Sequence, residues 1–274
     1  RKGDEKIQNS CSLAFNDGYE FIWFDANYID KSNSSELWEA INFMFAWYRM
    51  ADVCYVYLSD VYNDINTRLR LDRADILESR WFTRGWTLQE LLAPRRVKFY
   101  FADWSLMGNR ASLNRIISKA TGVSQEFLLS HSRAVHEASV AERMSWLARR
   151  TTAKIEDLAY CALGIFDVNV PLIYGEGRKA FFRLQQEIIK ASDDYSIFCW
   201  TYEDEGGDDH ADGLDHGSIF ASSPAAFLDS TGFKQLPTYK QRAWGVVENR
   251  LTPFVLTNAG LSMQIPLLQS WSTF

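Results

Sequence analysis

This chain has no C-x-x-C pair, no paired histidines, no long basic run, and no apolar stretch near the roughly 18 residues that a spanning helix needs. Each absence removes a class. Cys11, Cys54, Cys161 and Cys199 are too widely spaced for a zinc knuckle or a thiol–disulfide motif. His131, His136, His210 and His216 form no recognisable metal pair, so no metal site is expected. A formal net charge of −6 without a basic stripe disfavours nucleic acid and a polybasic membrane contact. The opening residues do not read as a secretory leader, so none is expected. Neither a G-x-S-x-G elbow, nor a Cys/His nucleophile pairing, nor a full G-x-x-x-x-G-K-[ST] loop is present, which disfavours nucleophilic hydrolases and a nucleotide-triphosphate switch. There are no internal repeats and no low-complexity tract.

What is present is a core-forming, aromatic chain. Its 274 residues suffice for one large domain or two small ones, and 47% are hydrophobic. Aromatics reach 15%, with 10 tryptophans. Cys54 and Cys161 lie in apolar runs and read as buried thiols in a reducing, cytoplasmic setting. The chain opens at Arg1 without a methionine, which reads as a piece of a longer polypeptide.

The first hundred residues alternate between helix and strand. Residues 4–17 suit a short amphipathic helix, stopped by Asn16-Asp17-Gly18. Phe21-Ile22-Trp23-Phe24 reads as a buried strand, with Asp25 and Asp30 beyond it. Asn33 with Glu36 predicts a capping box, followed by a helix carrying Leu37, Ala40, Ile41, Met44, Tyr48 and Ala51 inward. Val53–Leu58 and Val97–Phe101 read as buried strands on either side of a helix that Pro94 ends. Such alternation predicts an α/β fold with a parallel sheet and covering helices.

Beyond it, residues 110–150 are expected to be helical, and another helix spans 154–163 with Gly164 as its stop. A turn over 171–177 precedes a long helix with Ala180, Phe181, Leu184 and Ile188 on one face. Residues 196–200 read as a strand, as do Ser223-Pro224, and 254–257 with 261–266 as a hairpin through Asn258. The expected organisation is a domain over 1–202 (α/β core 1–105, helical part 106–195), an acidic linker over 203–217, and a β-rich extension over 218–274.

Candidate chemistry concentrates in Trp81-Phe82-Thr83-Arg84-Gly85-Trp86-Thr87-Leu88-Gln89-Glu90. Trp86 and Glu90 are four apart, one turn on one helical face. A ring there can stack on a planar ligand and desolvate the acid. From the residues alone the preferred reading is that Trp86, Leu88, Leu91 and Leu92 are core residues with Glu90 on the solvated side, because helical aromatic stripes are usually packing. Asp25, Asp30 and Ser59 follow predicted strands, on the edge where open α/β sheets place ligands. A loop aspartate that caps backbone amides is the commoner outcome. Tyr174-Gly175-Glu176-Gly177-Arg178-Lys179 invites an anion loop. Glu176 argues against phosphate there, so a tight helix entry is preferred. Glu156-Asp157 reads as a helix-start pair favoured by the dipole.

Three blocks together resemble the fungal heterokaryon-incompatibility (HET) domain. They are Phe21 to Asp30 with Ala40-Ile41 and Ala51-Asp52-Val53; Arg84 to Leu91; and Glu156 to Phe166 with Pro171 to Gly177. Ser222 to Phe227 and Pro253 to Leu261 resemble the tail of members that continue into nucleotide-binding and repeat domains. There are two departures. The family's Ser-His-Thr-Trp-Gly strand has no counterpart in this sequence, and Asn27-Tyr28 stand where Cys-Cys is usual. A more distant likeness reaches Toll/interleukin-receptor (TIR) domains, through Val56-Tyr57-Leu58-Ser59 and Trp86-x-x-x-Glu90-Leu91. That likeness implies a TIR-like (flavodoxin-like) parallel sheet with helical insertions. It also implies Glu90 as the catalytic residue of an NAD+ nucleosidase, with Trp86 or Trp81 stacking on a flat ring; Arg84 and the strand-end residues Asp25, Asp30 and Ser59 complete the substrate-binding candidates. NAD+ would be substrate; no cofactor is implied. The alternative is a non-enzymatic module that signals cell death by self-association. Partners would be other copies, and downstream nucleotide-binding or repeat domains or a separate sensor.

Overall fold

The computed structural model describes residues 2–24, 29, 33–63, 74–129, 132–201, 218–233, 254–258 and 260–263. The expectations for Asp25, Asn27-Tyr28, Asp30, His131, His210, His216 and the acidic linker 203–217 lie outside the described residues.

The chain is mixed α/β, built on a small sheet. β1 (Cys54–Tyr57) and β2 (Val97–Tyr100) pair in parallel, Cys54 opposite Val97 and Tyr57 opposite Tyr100. β3 (Leu106–Asn109) joins β2 antiparallel, with an irregularity between Phe99 and Tyr100. Alternation sorts the two faces. Cys54, Val56, Leu58, Val97 and Phe99 are buried in the core with Leu88, Leu91 and Leu92. On the opposite face, Asp17 accepts from Tyr55 Oη and Lys98 Nζ, each at 2.6 Å. Asp17 follows helix α1 (Lys2–Asn16), so this pair ties α1 to the sheet. The parallel pair matches the expected α/β alternation; the antiparallel third strand does not extend a parallel sheet.

Helix α2 (Ser34–Met50) begins as expected: the Asn33 side chain accepts from the amides of Ser35 and Glu36, and Ala40, Ile41, Met44 and Phe45 are buried. The expected strand at Phe21–Phe24 is absent. Those residues are irregular, Phe21 is 88% exposed, and Trp23 stands edge-on to Trp47 and Tyr48 of α2 at 5.6 Å each. A four-residue apolar run carries no periodicity that separates a strand from an irregular segment packed on a helix.

Between β1 and β2 the chain forms α3 (Ala74–Leu77), a 3-10 turn (Arg80–Thr83) and α4 (Thr87–Leu92). The helical half follows: α5 (Asn114–Thr121), α6 (Gln125–Leu129), a 3-10 turn (Ser132–Glu137), the wholly buried α7 (Val140–Ser145), α8 (Asp157–Tyr160), α9 (Leu163–Phe166) and α10 (Lys179–Ala191). The helix expected over 154–163 is thus two short pieces, and Gly164 does not stop it. Gly164 lies inside α9, where an added Cβ would land on the Phe45 side chain. The left-handed cap is Asp167, with φ 56°.

Two further strands are also corrected. Residues 195–198 form a 3-10 turn because Asp194 caps it, accepting from Ser196 N at 2.9 Å and from Val140 N at 2.7 Å. Ser223-Pro224 starts another 3-10 turn (Pro224–Phe227), with Ser223 as its cap and Pro224 pre-set for the first position. Gln185 of α10 holds this segment by two bonds to Ala221, N–H to Oε1 and Nε2 to O, both 2.9 Å. The expected hairpin is present as β4 (Val255–Thr257) and β5 (Gly260–Ser262), antiparallel. No helix among the described residues is long and apolar enough to cross a membrane.

Candidate functional site

Five of the seven sequence candidates, Ser59, Trp81, Arg84, Trp86 and Glu90, lie among the described residues. Ser59 is exposed just past β1. Its neighbour Asp60 accepts from Ser79 Oγ at 2.8 Å and from the Arg80 amide at 2.9 Å. Burial raises the Asp60 pKa, but these two bonds, with its own amide and the Arg80 charge, together hold the carboxyl below its ordinary value. The bonds pin the 3-10 turn carrying Trp81 to the carboxyl end of β1. α4 follows that turn and leads to β2, with Trp86 just before its first residue and Glu90 one turn further along. Ser59 and the turn carrying Trp81 are therefore at the carboxyl end of β1, the side where such sheets place ligands. Asp25 and Asp30 lie outside the described residues.

The tryptophans are committed largely to packing. Trp81 stands edge-on to Phe82 at 5.2 Å and to Phe99 at 5.6 Å, and both Trp81 and Trp86 are half-buried against the core. Arg84 is exposed and engages through its backbone, in a bridge to Thr151. Glu90 is half-buried, while Thr87, Leu88, Gln89, Leu91 and Leu92 around it are buried.

Beneath this helix lies a residue that the sequence did not single out. Arg150 is buried, and its guanidinium gathers the start of α4. Nη1 donates to Arg84 O at 2.7 Å and to Thr87 Oγ1 at 3.0 Å, while Nε donates to Trp146 O at 3.0 Å. Burial pulls its pKa down to about 10, and the charges of Cys161 and Glu90 act in the opposite direction. Its Nη2 has no hydrogen-bond partner among the described residues. Glu90 thus stands one turn above Thr87, within the field of a buried cation. Gly85 fits the same junction because a Cβ there would meet Thr152 Cγ2 at 2.5 Å and Cys161 Sγ at 3.0 Å. Burial pushes the Cys161 thiol up to about 12, so it is an inert packing group. Gln89 reaches the same element, donating to Cys161 O at 2.7 Å.

The third block closes on itself. Gly175 and Gly177 have φ of 96° and 62°, and both point their amides at Glu156 Oε1, at 2.7 and 3.0 Å. The glycine loop before α10 is therefore an anion nest whose occupant is the chain's own carboxylate. Glu156 is held below the ordinary carboxylate range by its own amide and those of Gly177 and Gly175, against burial. Tyr174 Oη donates to Asp157 Oδ1 at 2.9 Å, and Arg183 pairs with Glu176. The preferred reading of a tight helix entry holds, and Glu156 does more than greet a helix dipole. A glutamate some twenty residues before a G-x-G is the signal that could have revealed this.

Among the described residues, no group of three or more His, Cys, Asp or Glu could hold a metal ion. The four cysteines are free, Cys54 and Cys161 buried as expected. Two cavities, of about 540 and 220 Å3, lie along α1 and α2, and neither is lined by Glu90 or Trp86.

Over 195 residues, 69% of its length, the chain is 47% identical to the vegetative incompatibility protein HET-E-1 of Podospora anserina. It spans 14% of that protein's length. No family model and no solved structure matches. Identity at that level over that length makes the chain HET-related, in keeping with the three blocks read from the sequence.

Proposed function

We propose that this chain serves fungal heterokaryon incompatibility as a cell-death effector segment of a larger protein in the cytoplasm, cleaving the nicotinamide–ribose bond of NAD+. The observation that carries the enzymatic reading is the place of Glu90. It is a half-buried carboxylate one turn on from Trp86, in the helix that leads from the turn pinned at the end of β1 back to β2. Departure of nicotinamide leaves an oxocarbenium-like ribose, which a fixed carboxylate stabilises or holds through the ribose hydroxyls. Arg150 would keep the first turn of α4 in place while charge develops. Ser59 and Arg84 are exposed and would supply polar groups to the substrate, and half-buried Trp86 an apolar wall.

The test is NAD+ loss by the purified chain and by Glu90→Gln at equal folded fraction, with and without conditions that promote assembly. Loss slowed at least about 100-fold in the variant is expected for a residue acting at the reacting centre. Equal loss in both would exclude Glu90.

A second reading is favoured by the aromatic surface. Phe15, Phe21, Trp38 and Phe43 are 79%, 88%, 46% and 50% exposed, on α1, α2 and the segment between them. Such side chains are apt interface anchors, and a module that signals by self-association would use them. Its mark would be a Glu90→Gln chain that consumes no NAD+ and still kills fungal cells. Downstream nucleotide-binding or repeat domains, or a separate sensor, would then supply the trigger.

A further inference from the structure

The smaller cavity is chemically distinctive. It holds about 220 Å3 between helix α2 and the irregular segment before it, and is lined by Trp23, Ile29, Glu36, Glu39, Ala40 and Trp47. Helix geometry explains how the α2 members converge. At about 100° per residue, Glu36, Ala40 and Trp47 fall within about 40° of one another around the axis, Glu39 lies about 60° from Glu36, and the four are spread over about 16 Å along the helix. Ala40 is 2% exposed, and its small side chain leaves the floor open. Trp23 stands edge-on to Trp47 at 5.6 Å with the planes 71° apart, so the two indoles form a corner rather than a stack. The cavity thus offers two indole walls at an angle, an aliphatic side at Ile29, and two carboxylates at the rim.

That combination selects for one kind of guest. Indole faces carry negative electrostatic potential and attract cations that shed water easily, and carboxylates add a charge term that a neutral guest cannot use. A strongly hydrated ammonium or metal ion gains little from indole walls. A small anion meets two carboxylates. A neutral apolar guest gains the walls and loses the rim. The charge balance of the chain, −6 overall, points the same way.

We propose that this cavity is a binding site for a quaternary ammonium group, carried on a small molecule or on a trimethylated lysine side chain. The site is separate from Glu90 and Trp86, which do not line it, and it stands whichever reading of the cell-death activity holds. A guest bound here would rest on the existing Trp23–Trp47 contact.

The experiment is calorimetric titration of the chain with choline, with a trimethyl-lysine peptide, and with 3,3-dimethylbutanol as the neutral isostere of choline. Saturable binding of a cation in the millimolar range is expected for an open two-wall site. Trp47→Leu should weaken it about ten-fold, in keeping with the loss of one ring. Glu39→Gln, an exposed substitution that leaves the fold alone, should weaken it several-fold and more at low salt than at high salt. Binding of choline alone assigns a free small molecule, and binding of the peptide alone a modified protein. The proposal is overturned if neither cation saturates at tens of millimolar, if the isostere binds as tightly as choline, or if both variants bind like the parent chain.

Discussion

The clasp between Glu156 and the glycine loop makes a quantitative prediction. Glu156 Oε1 accepts from Gly175 N at 2.7 Å and Gly177 N at 3.0 Å, and the residue is 6% exposed. A hydrogen bond to a charged group contributes roughly 1.5–3 kcal/mol net, and an amide left unsatisfied in a buried place costs a similar amount. Glu156→Ala removes both bonds at once; with partial access of water to the freed loop, the loss is about 3 kcal/mol. In a chain of this size that lowers the Tm by roughly 6–12 °C. Glu156→Gln keeps an acceptor oxygen for the same two amides and gives up only the charge, for about 1 kcal/mol.

The sign of the pH dependence is fixed by the direction of the Glu156 shift. Its pKa is lowered in the folded chain, so the unfolded chain holds the proton more tightly. The stabilisation is complete well above the unfolded glutamate value of about 4.3, and fades as pH falls through the folded value. Urea unfolding followed by tryptophan emission and by circular dichroism, at pH 7 and in steps down to about pH 3, measures this. The gap between the parent chain and Glu156→Gln should be constant above about pH 6 and close on acidification. An unchanged midpoint for Glu156→Ala at pH 7, or a gap that widens toward low pH, would refute the assignment of the loop as a nest for this carboxylate.

Gly85→Ala should cost about 1–3 kcal/mol by overpacking, since its Cβ would press on Thr152 and Cys161, and thermal unfolding reads it directly. Gly85→Ala combined with Cys161→Ala should recover part of that loss; simple additivity would show that the Cys161 contact is not what Gly85 relieves. Thiol titration at pH 8 should modify Cys11 first, because it is exposed, while Cys161, pushed up to about 12 by burial, reacts only on unfolding. Early labelling of Cys161 would contradict its burial at the junction of the second and third blocks.

Local chemistry was legible where it acts within a few residues. The Asn33 cap, the apolar runs that became β1 and β2, the inward face of α10 and the 254–262 hairpin all follow from spacing alone, because turn and helix periodicities are printed in the sequence. The mistaken strands at 21–24, 196–200 and 223–224 share a cause. Each is a short apolar or β-prone run: packing on α2 decided the first, and adjacent caps, Asp194 for the turn at 195–198 and Ser223 with Pro224 for the last, outweighed strand propensity in the other two.

The candidate site divides in the same way. That Trp86 and Glu90 share a helix face, and that Gly175 and Gly177 begin a helix, was determined by the sequence itself, since three to four residues is the reach of one turn. Only the tertiary structure brought Arg150 beneath Thr87 from 63 positions away and laid the Gly175 and Gly177 amides on Glu156. Only the tertiary structure set Trp23 against Trp47 over a cavity between two glutamates. Buried charges and close packing are properties of neighbours in space, and one chain's pattern of residue types does not say which distant neighbours will meet.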